Sequence, residues 1–285
     1  MLKNNNGAVI TKMALRSLKN NRRRNGIMVF AVMLSAFMLF TTLTVGVTWF
    51  HMQDIQNLRM KGGDFDAVLY GGFNEKQKNI CEKNAGIRRV GMNGIAGWSV
   101  STERDSTLHS GLIWSDQVYW EQMMKPARTK MEGRYPEKSN ELMATKKALE
   151  DCGMEDLGVG DRFILTYADN KGEHTREFII SGMWDGYGDQ QAFYVSQSFF
   201  EESGFTLEDT GRGLLYLKFK SRIVTGEAQK ELEDSLELNK KQRLLFTSET
   251  ASSVQMLVGV LGLVAVTCIS AYLLIYNICL LYTSD

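Results

Sequence analysis

Residues 26–50 read GIMVFAVMLSAFMLFTTLTVGVTWF, and the run follows almost directly on three arginines, Arg22, Arg23 and Arg24. A stretch of this length at about 1.5 Å per residue makes roughly 37 Å of helix, against about 30 Å of bilayer hydrocarbon, so it can span with some tilt. Twelve of its twenty-five residues are Leu, Ile, Val or Phe and none is charged. On an insertion scale that composition is worth about −4 to −7 kcal/mol with no charge to oppose it. Trp49 and Phe50 close the run where an interfacial aromatic belt is expected. A cleaved signal peptide has a shorter apolar core, about 7 to 15 residues, and a small-residue cleavage site. Neither fits here, and an uncleaved anchor is expected.

The charges on either side of the run are unequal. Residues 1–24 carry seven basic side chains, Lys3, Lys12, Arg16, Lys19, Arg22, Arg23 and Arg24, and no acidic one. Residues 51–253 carry 26 basic against 32 acidic residues, a net of minus six. Lysine and arginine flanking a first span are retained on the cytoplasmic side, which predicts a cytoplasmic N-terminus and an extracytoplasmic middle segment. Within residues 8–21, Ile10, Met13, Ala14 and Leu18 share one helix face with the cations off it. Residues 1–25 therefore read as a basic amphipathic segment lying against membrane lipids, each cation contributing roughly 1 kcal/mol. A nucleic-acid partner is not expected for arginines that abut an apolar span.

A second apolar run, residues 251–285, carries no basic residue and no acidic one before Asp285. Thirteen of the twenty-five residues 254–278 are Leu, Ile or Val, and Gly259, Gly262, Ala265, Ser270 and Ala271 are small enough to admit a neighbouring helix. Between the two runs, residues 51–250 are polar, mixed in charge and numerous enough for one domain with its own core. Residues 51–61 extend the first span as a helical stalk, which Gly62 and Gly63 stop.

Beyond the stalk the periodicity alternates between strand and helix. Strands are predicted at 65–70, 94–101, 109–114, 141–144, 162–167, 174–183, 192–196, 213–220 and 243–247. Helices are predicted at 74–84, 116–124 (capped by Ser115 or Asp116), 146–151 and 225–238. Asp169-Asn170-Lys171-Gly172 reads as a hairpin turn. The fold class is an α+β extracytoplasmic domain, a mixed sheet with helices, inserted between two transmembrane helices.

No catalytic set is apparent, and an enzyme is not expected. His51, His109 and His174 stand alone in sequence, with no H-E-x-x-H and no C-x-x-C. Cys81 and Cys152 could pair in an oxidising compartment, but their spacing offers no geometry for it. Gly158-Val-Gly160 and Gly186-Tyr-Gly188 do not continue into a phosphate-cradling loop. Trp184, Tyr187 and Tyr194 around Asp185 and Asp189 read either as a ligand-contacting surface or, more in keeping with aromatic residues at a strand end, as core.

One set of motifs carries a resemblance. Gly133-Arg134-Tyr135-Pro136 is followed by Asn140-Glu141, then Gly160-Asp161, Ile180-Ser181-Gly182-Met183 and Tyr194-Val195-Ser196. Together with Ala14-Leu15-Arg16-Ser17-Leu18-Lys19 and Arg22-Arg23-Arg24-Asn25 before the first span, this order resembles the FtsX-like, MacB-like permeases of ABC transporters. The resemblance implies a MacB-like core domain in which Gly133, Arg134, Pro136, Asn140, Glu141, Gly160 and Asp161 are structural. It implies a permease subunit that couples ATP hydrolysis to export or to mechanical transmission outside the membrane. The partners it implies are a cytoplasmic ABC ATPase subunit and a dimer mate or paired permease half. The chain itself needs no cofactor on this reading, because ATP is bound by the separate ATPase. Arg16, Arg22, Arg23 and Arg24 are the expected coupling and topology residues. The family has further spans, so the chain reads as a fragment, and its last residues CLLYTSD read as added sequence rather than a native helix end. The alternative is a two-span sensory receptor with an extracytoplasmic ligand-binding domain.

Overall fold

The computed structural model describes residues 11–13, 16, 22–104, 109–187, 191–221, 224–247 and 249–281. They fall into two compact units, one made of Met1–Gln53 with Ser252–Asp285 and the other of Asp54–Ala251.

The described residues of the first unit are helical. Helix α1 (Arg22–Lys61) is 40 residues long, and its Ser35, Thr42 and Thr44 hydroxyls each donate to a carbonyl four residues back at 2.8 Å. Such back-bonding satisfies polar groups that hydrocarbon could not. Ala31 and Gly46 are buried and Ser35, Leu39 and Thr42 half-buried, which marks one face, while Phe30, Phe37 and Phe40 point outward. A Cβ on Gly46 would meet Val260 Cγ1 of helix α6 (Glu249–Leu281) at 3.0 Å. The close approach therefore uses a glycine of the first run. Gly259 and Gly262, expected to supply it, have nothing within 4 Å. Among the described residues, Val29–Lys61 is the one helix long and apolar enough to cross a membrane, and Val258–Leu273 is a shorter apolar helix. Most of residues 1–21, expected to lie against lipid, and the ending 282–285 are outside the described residues.

In the second unit the elements are β1 (Ala67–Tyr70), α2 (Glu75–Lys83), β2 (Ile87–Thr102), β3 (Gly111–Ser115), β4 (Arg128–Gly133), β5 (Glu141–Thr145) and α3 (Lys146–Asp151). They continue with β6 (Arg162–Asp169), β7 (Gly172–Gly186), β8 (Phe193–Val195), α4 (Gln197–Glu202), β9 (Gly213–Phe219), α5 (Gly226–Ser235) and β10 (Arg243–Phe246). The strands make one mixed sheet in the order β10-β1-β9-β2-β3-β8-β5-β7-β4, with β6 bridging β2 and β7. Only β3·β8 and β5·β7 are parallel; the other pairs are antiparallel. The α+β class expected from the sequence is what the structure shows.

Local chemistry explains the element ends. Asn74 and Gln77 form a capping box at the start of α2, and Thr145, Ser196 and Thr225 cap α3, α4 and α5. The β6–β7 turn closes at Asp169 and Gly172, whose φ of 124° suits glycine. Three apolar clusters fill the unit. The first is built on Leu142, Phe163, Phe178, Phe193 and Phe199. The second contains Phe65, Trp120, Met123, Trp184 and Tyr194, and the third Leu69, Cys81, Leu215, Leu217 and Leu232.

One expectation needs correction, and two elements were not anticipated. The helix expected at 116–124 is a π-helical turn, Tyr119–Met124, followed by a 3-10 turn, Lys125–Ala127. Asp116 lies just before the π-helical turn, and its Oδ1 accepts from Tyr119 N at 2.8 Å and from Met92 N at 3.0 Å. Strand β4 was not expected, because RTKMEG has no buried apolar position to set a period; it is a charged edge strand. Helix α4 is only six residues and too short for a 3.6-residue pattern to show.

Candidate functional site

The motif residues converge on one short piece of β7. Ile179 N donates to Asn140 O at 2.9 Å, Ile180 N to Asp161 O at 2.9 Å, Gly160 N to Ile180 O at 2.8 Å, and Arg134 N to Ser181 O at 2.9 Å. Three separate segments, 133–134, 140–141 and 160–161, are thus sewn to residues 179–182. Gly133 is required at its place. Its φ is 74°, and a Cβ there would collide with the Ser181 carbonyl oxygen. Gly182 is closed in the same way by Met143 and the Arg134 carbonyl. Pro136 is buried, and a proline disfavours helical backbone at the residue before it, Tyr135.

Two side chains lock this crossing. Arg134 grips Glu141 through Nη1–Oε2 at 2.9 Å and Nη2–Oε1 at 2.6 Å. Glu141 also accepts from the backbone N–H of Glu137 at 2.9 Å and of Lys138 at 3.2 Å. The guanidinium, helped by those two amides, holds the carboxyl at about 2 although burial alone would raise it. Tyr135 OH donates to Val195 O at 3.2 Å and accepts from Ser115 N at 2.8 Å, joining β3 to the end of β8. At 160–161 the Asp161 carboxylate accepts from Gly158 N at 2.8 Å and shapes the turn into β6. The constellation is a clasp: every charge in it is turned to another part of the chain.

A second set of contacts lies where the last turns of α1, from Asp54 on, fall within the second unit. Gly62, at φ 71°, ends the helix, and Asp64 N donates to Met123 O at 2.7 Å. Lys218 Nζ is 2.7 Å from Asp64 and 3.0 Å from Asp66, while Asp66 also accepts from Phe219 N at 2.9 Å. Phe65 between these aspartates enters the second cluster and meets Tyr216 edge-on at 4.8 Å. Arg59 lies over the Tyr187 ring at 3.9 Å. The sequence gives no signal for Lys218 with Asp64 and Asp66, because the partners are about 150 residues apart.

The remaining candidates divide. Trp184 and Tyr194 are core residues, 1% and 5% exposed, as the packing reading of that stretch holds. Asp189 lies outside the described residues. Cys81 and Cys152 are buried in different clusters and form no bond with each other. His174 Nε2 is 3.2 Å from Asp169. Among the described residues no three His, Cys, Asp or Glu side chains are grouped to hold a metal ion. Arg16 and Arg22 are exposed and helical, and the side chains of Arg23 and Arg24 are outside the described set. These four belong to the other unit from the clasp.

Comparison with known proteins gives structural likenesses only. The chain is similar to the periplasmic region of MacB from Actinobacillus actinomycetemcomitans, at 14% identity over 69% of this chain and 95% of that one, with a TM-score of 0.46. It is also similar to a domain described as that of a permease protein from Porphyromonas gingivalis, at 13% identity over 63% of this chain and 86% of that one, with a TM-score of 0.39. No family model matches the sequence, and no curated protein matches it.

Proposed function

We propose that this chain forms the membrane subunit of an ABC transporter of the FtsX/MacB type. The observation that carries the reading is the clasp. Motifs recognised by their order in sequence, Gly133-Arg134-Tyr135-Pro136, Asn140-Glu141, Gly160-Asp161 and Ile180-Ser181-Gly182-Met183, meet at one crossing inside a domain that interrupts two apolar helices. On this reading the second unit is extracytoplasmic, the N-terminus is cytoplasmic, and the partner is a separate cytoplasmic ATPase that binds ATP. Nucleotide-driven movement of α1 would reach the outer domain through the joint at residues 59–66, where Lys218 grips Asp64 and Asp66. The rigid crossing would pass that movement to a peptide, antibiotic, lipid or cell-wall enzyme.

Two measurements test it. Affinity purification of the protein from native membranes should recover a P-loop ATPase, and recovery without any ATPase would overturn the transporter reading. Reversal of Arg22, Arg23 and Arg24 to Glu should invert or block insertion, read by labelling of cysteines placed in the outer domain. Unchanged topology in that variant would remove the orientation.

A further inference from the structure

Arg88 and Arg89 are consecutive on β2, and strict alternation along a strand would send their side chains to opposite faces. Both border one cleft, of about 290 Å³, together with Ile87, Val90, Glu82, Val118 and Gln122. The strand register is irregular at this point. Ile87 pairs with Phe219 and Arg89 with Lys218, so Arg88 is an extra residue bulged out of the ladder. A bulge bends the strand and re-aims its side chains, and such bulges are common beside functional sites.

Most other arginines of the described outer domain are committed. Arg104, Arg128, Arg134, Arg162 and Arg176 each face a carboxylate. Arg59 and Arg212 lie over the rings of Tyr187 and Phe205. Among the described residues Arg88 and Arg89 have neither kind of partner, and only Arg243, three strands away on β10, shares that state. The one carboxylate lining the cleft, Glu82, has Lys78 Nζ 4.0 Å from its Oε1. The same Lys78 is 3.8 Å from Glu75, so the cleft sets two guanidinium groups against one partly paired carboxylate, beside a neutral amide donor and an apolar wall.

We propose that this cleft binds a phosphate monoester. Guanidinium forks match phosphate oxygens two at a time. Two full positive charges suit a group carrying about −1.5 to −2 better than a single carboxylate. Gln122 supplies a further N–H donor, and Ile87 with Val118 would cover the carbon portion of the ligand. The same chemistry is offered by a free phosphorylated metabolite and by the headgroup of a phosphatidate lipid.

The test is calorimetric titration of the full chain in neutral detergent with inorganic phosphate, at constant ionic strength. Saturable binding is expected for the unaltered protein. Binding at least about tenfold weaker is expected for R88Q/R89Q, and unchanged binding for R243Q. No saturable binding, full binding by R88Q/R89Q, or an equal loss in R243Q would overturn the proposal. Should the double variant fold poorly, Arg88→Gln alone removes an exposed side chain and is expected to weaken binding with an unchanged melting temperature. Competition then distinguishes the source. Displacement of phosphate by dioctanoyl phosphatidate and not by glycerol phosphate supports a lipid headgroup, and the reverse supports a soluble ligand. Equal displacement by dioctanoyl phosphatidylcholine, which has no dianion, would overturn the site.

Discussion

Arg134 and Glu141 lie seven residues apart and close the β4–β5 connection with two parallel hydrogen bonds, 2.9 and 2.6 Å. Glu141 is the buried partner, its side chain 8% exposed against 48% for Arg134. Glu141→Gln keeps the volume but not the charge, and it should cost about 1–3 kcal/mol of unfolding free energy. The same pair sets a pH dependence. The carboxyl is held at about 2 in the fold against an ordinary 4.5, so as pH falls the unfolded chain takes up its proton first. The stabilisation is complete above about 4.5 and is lost as pH falls toward 2. Chemical denaturation across that range should show the unaltered protein losing more stability than Glu141→Gln; parallel curves would rule out the assignment.

Gly133 and Gly160 separate two costs that usually arrive together. Both have positive φ, 74° and 98°. A Cβ at Gly160 would meet nothing within 4 Å, whereas one at Gly133 would strike the Ser181 carbonyl. Gly160→Ala should therefore cost only the left-handed penalty of about 1–2 kcal/mol. Gly133→Ala should cost clearly more, because β4 must move off β7. Thermal melts of the two variants decide it, and equal shifts would show that the crossing relaxes freely.

How far the sequence reveals this fold depends on how local each cause is. Residues 26–50 and the stops at Gly62 and Gly63 announce themselves by hydropathy and by glycine. The motif residues were recognisable as a set, but their reason was not. Gly133, Asn140 and Asp161 make sense only when β7 is seen to pass all three. Strand β4 left no trace, because an edge strand of charged residues has no buried face to impose alternation. The bulge at Arg88 has no sequence signal, since it is a property of pairing with β9 and not of β2 alone.

Tyr135 is the neutral member of the clasp. Tyr135→Phe would strand the Ser115 N–H and take a donor from the Val195 carbonyl. A buried donor left without an acceptor costs about 1–3 kcal/mol, so the variant should lower the denaturation midpoint while leaving the slope unchanged. The Ser115 amide should also exchange with solvent deuterium faster than in the unaltered protein. Unaltered exchange at Ser115 would mean that the hydroxyl is not its partner.

Cys81 offers a probe of the third cluster. Its thiol is fully buried against Leu215, Leu217 and Leu232, and burial, with the charge of Glu82 added, pushes it up to about 12. An ordinary thiol, near 8.5, gains reactive thiolate steeply as pH rises from neutral. Cys81 should instead react with maleimide only when the domain opens, at a rate that follows denaturant concentration. Mass spectrometry of the peptide bearing Cys81 measures this without removing any other cysteine. Rapid native labelling that climbs with pH as a free thiol does would show that the helix α2 face is open to solvent and that the third cluster is not closed.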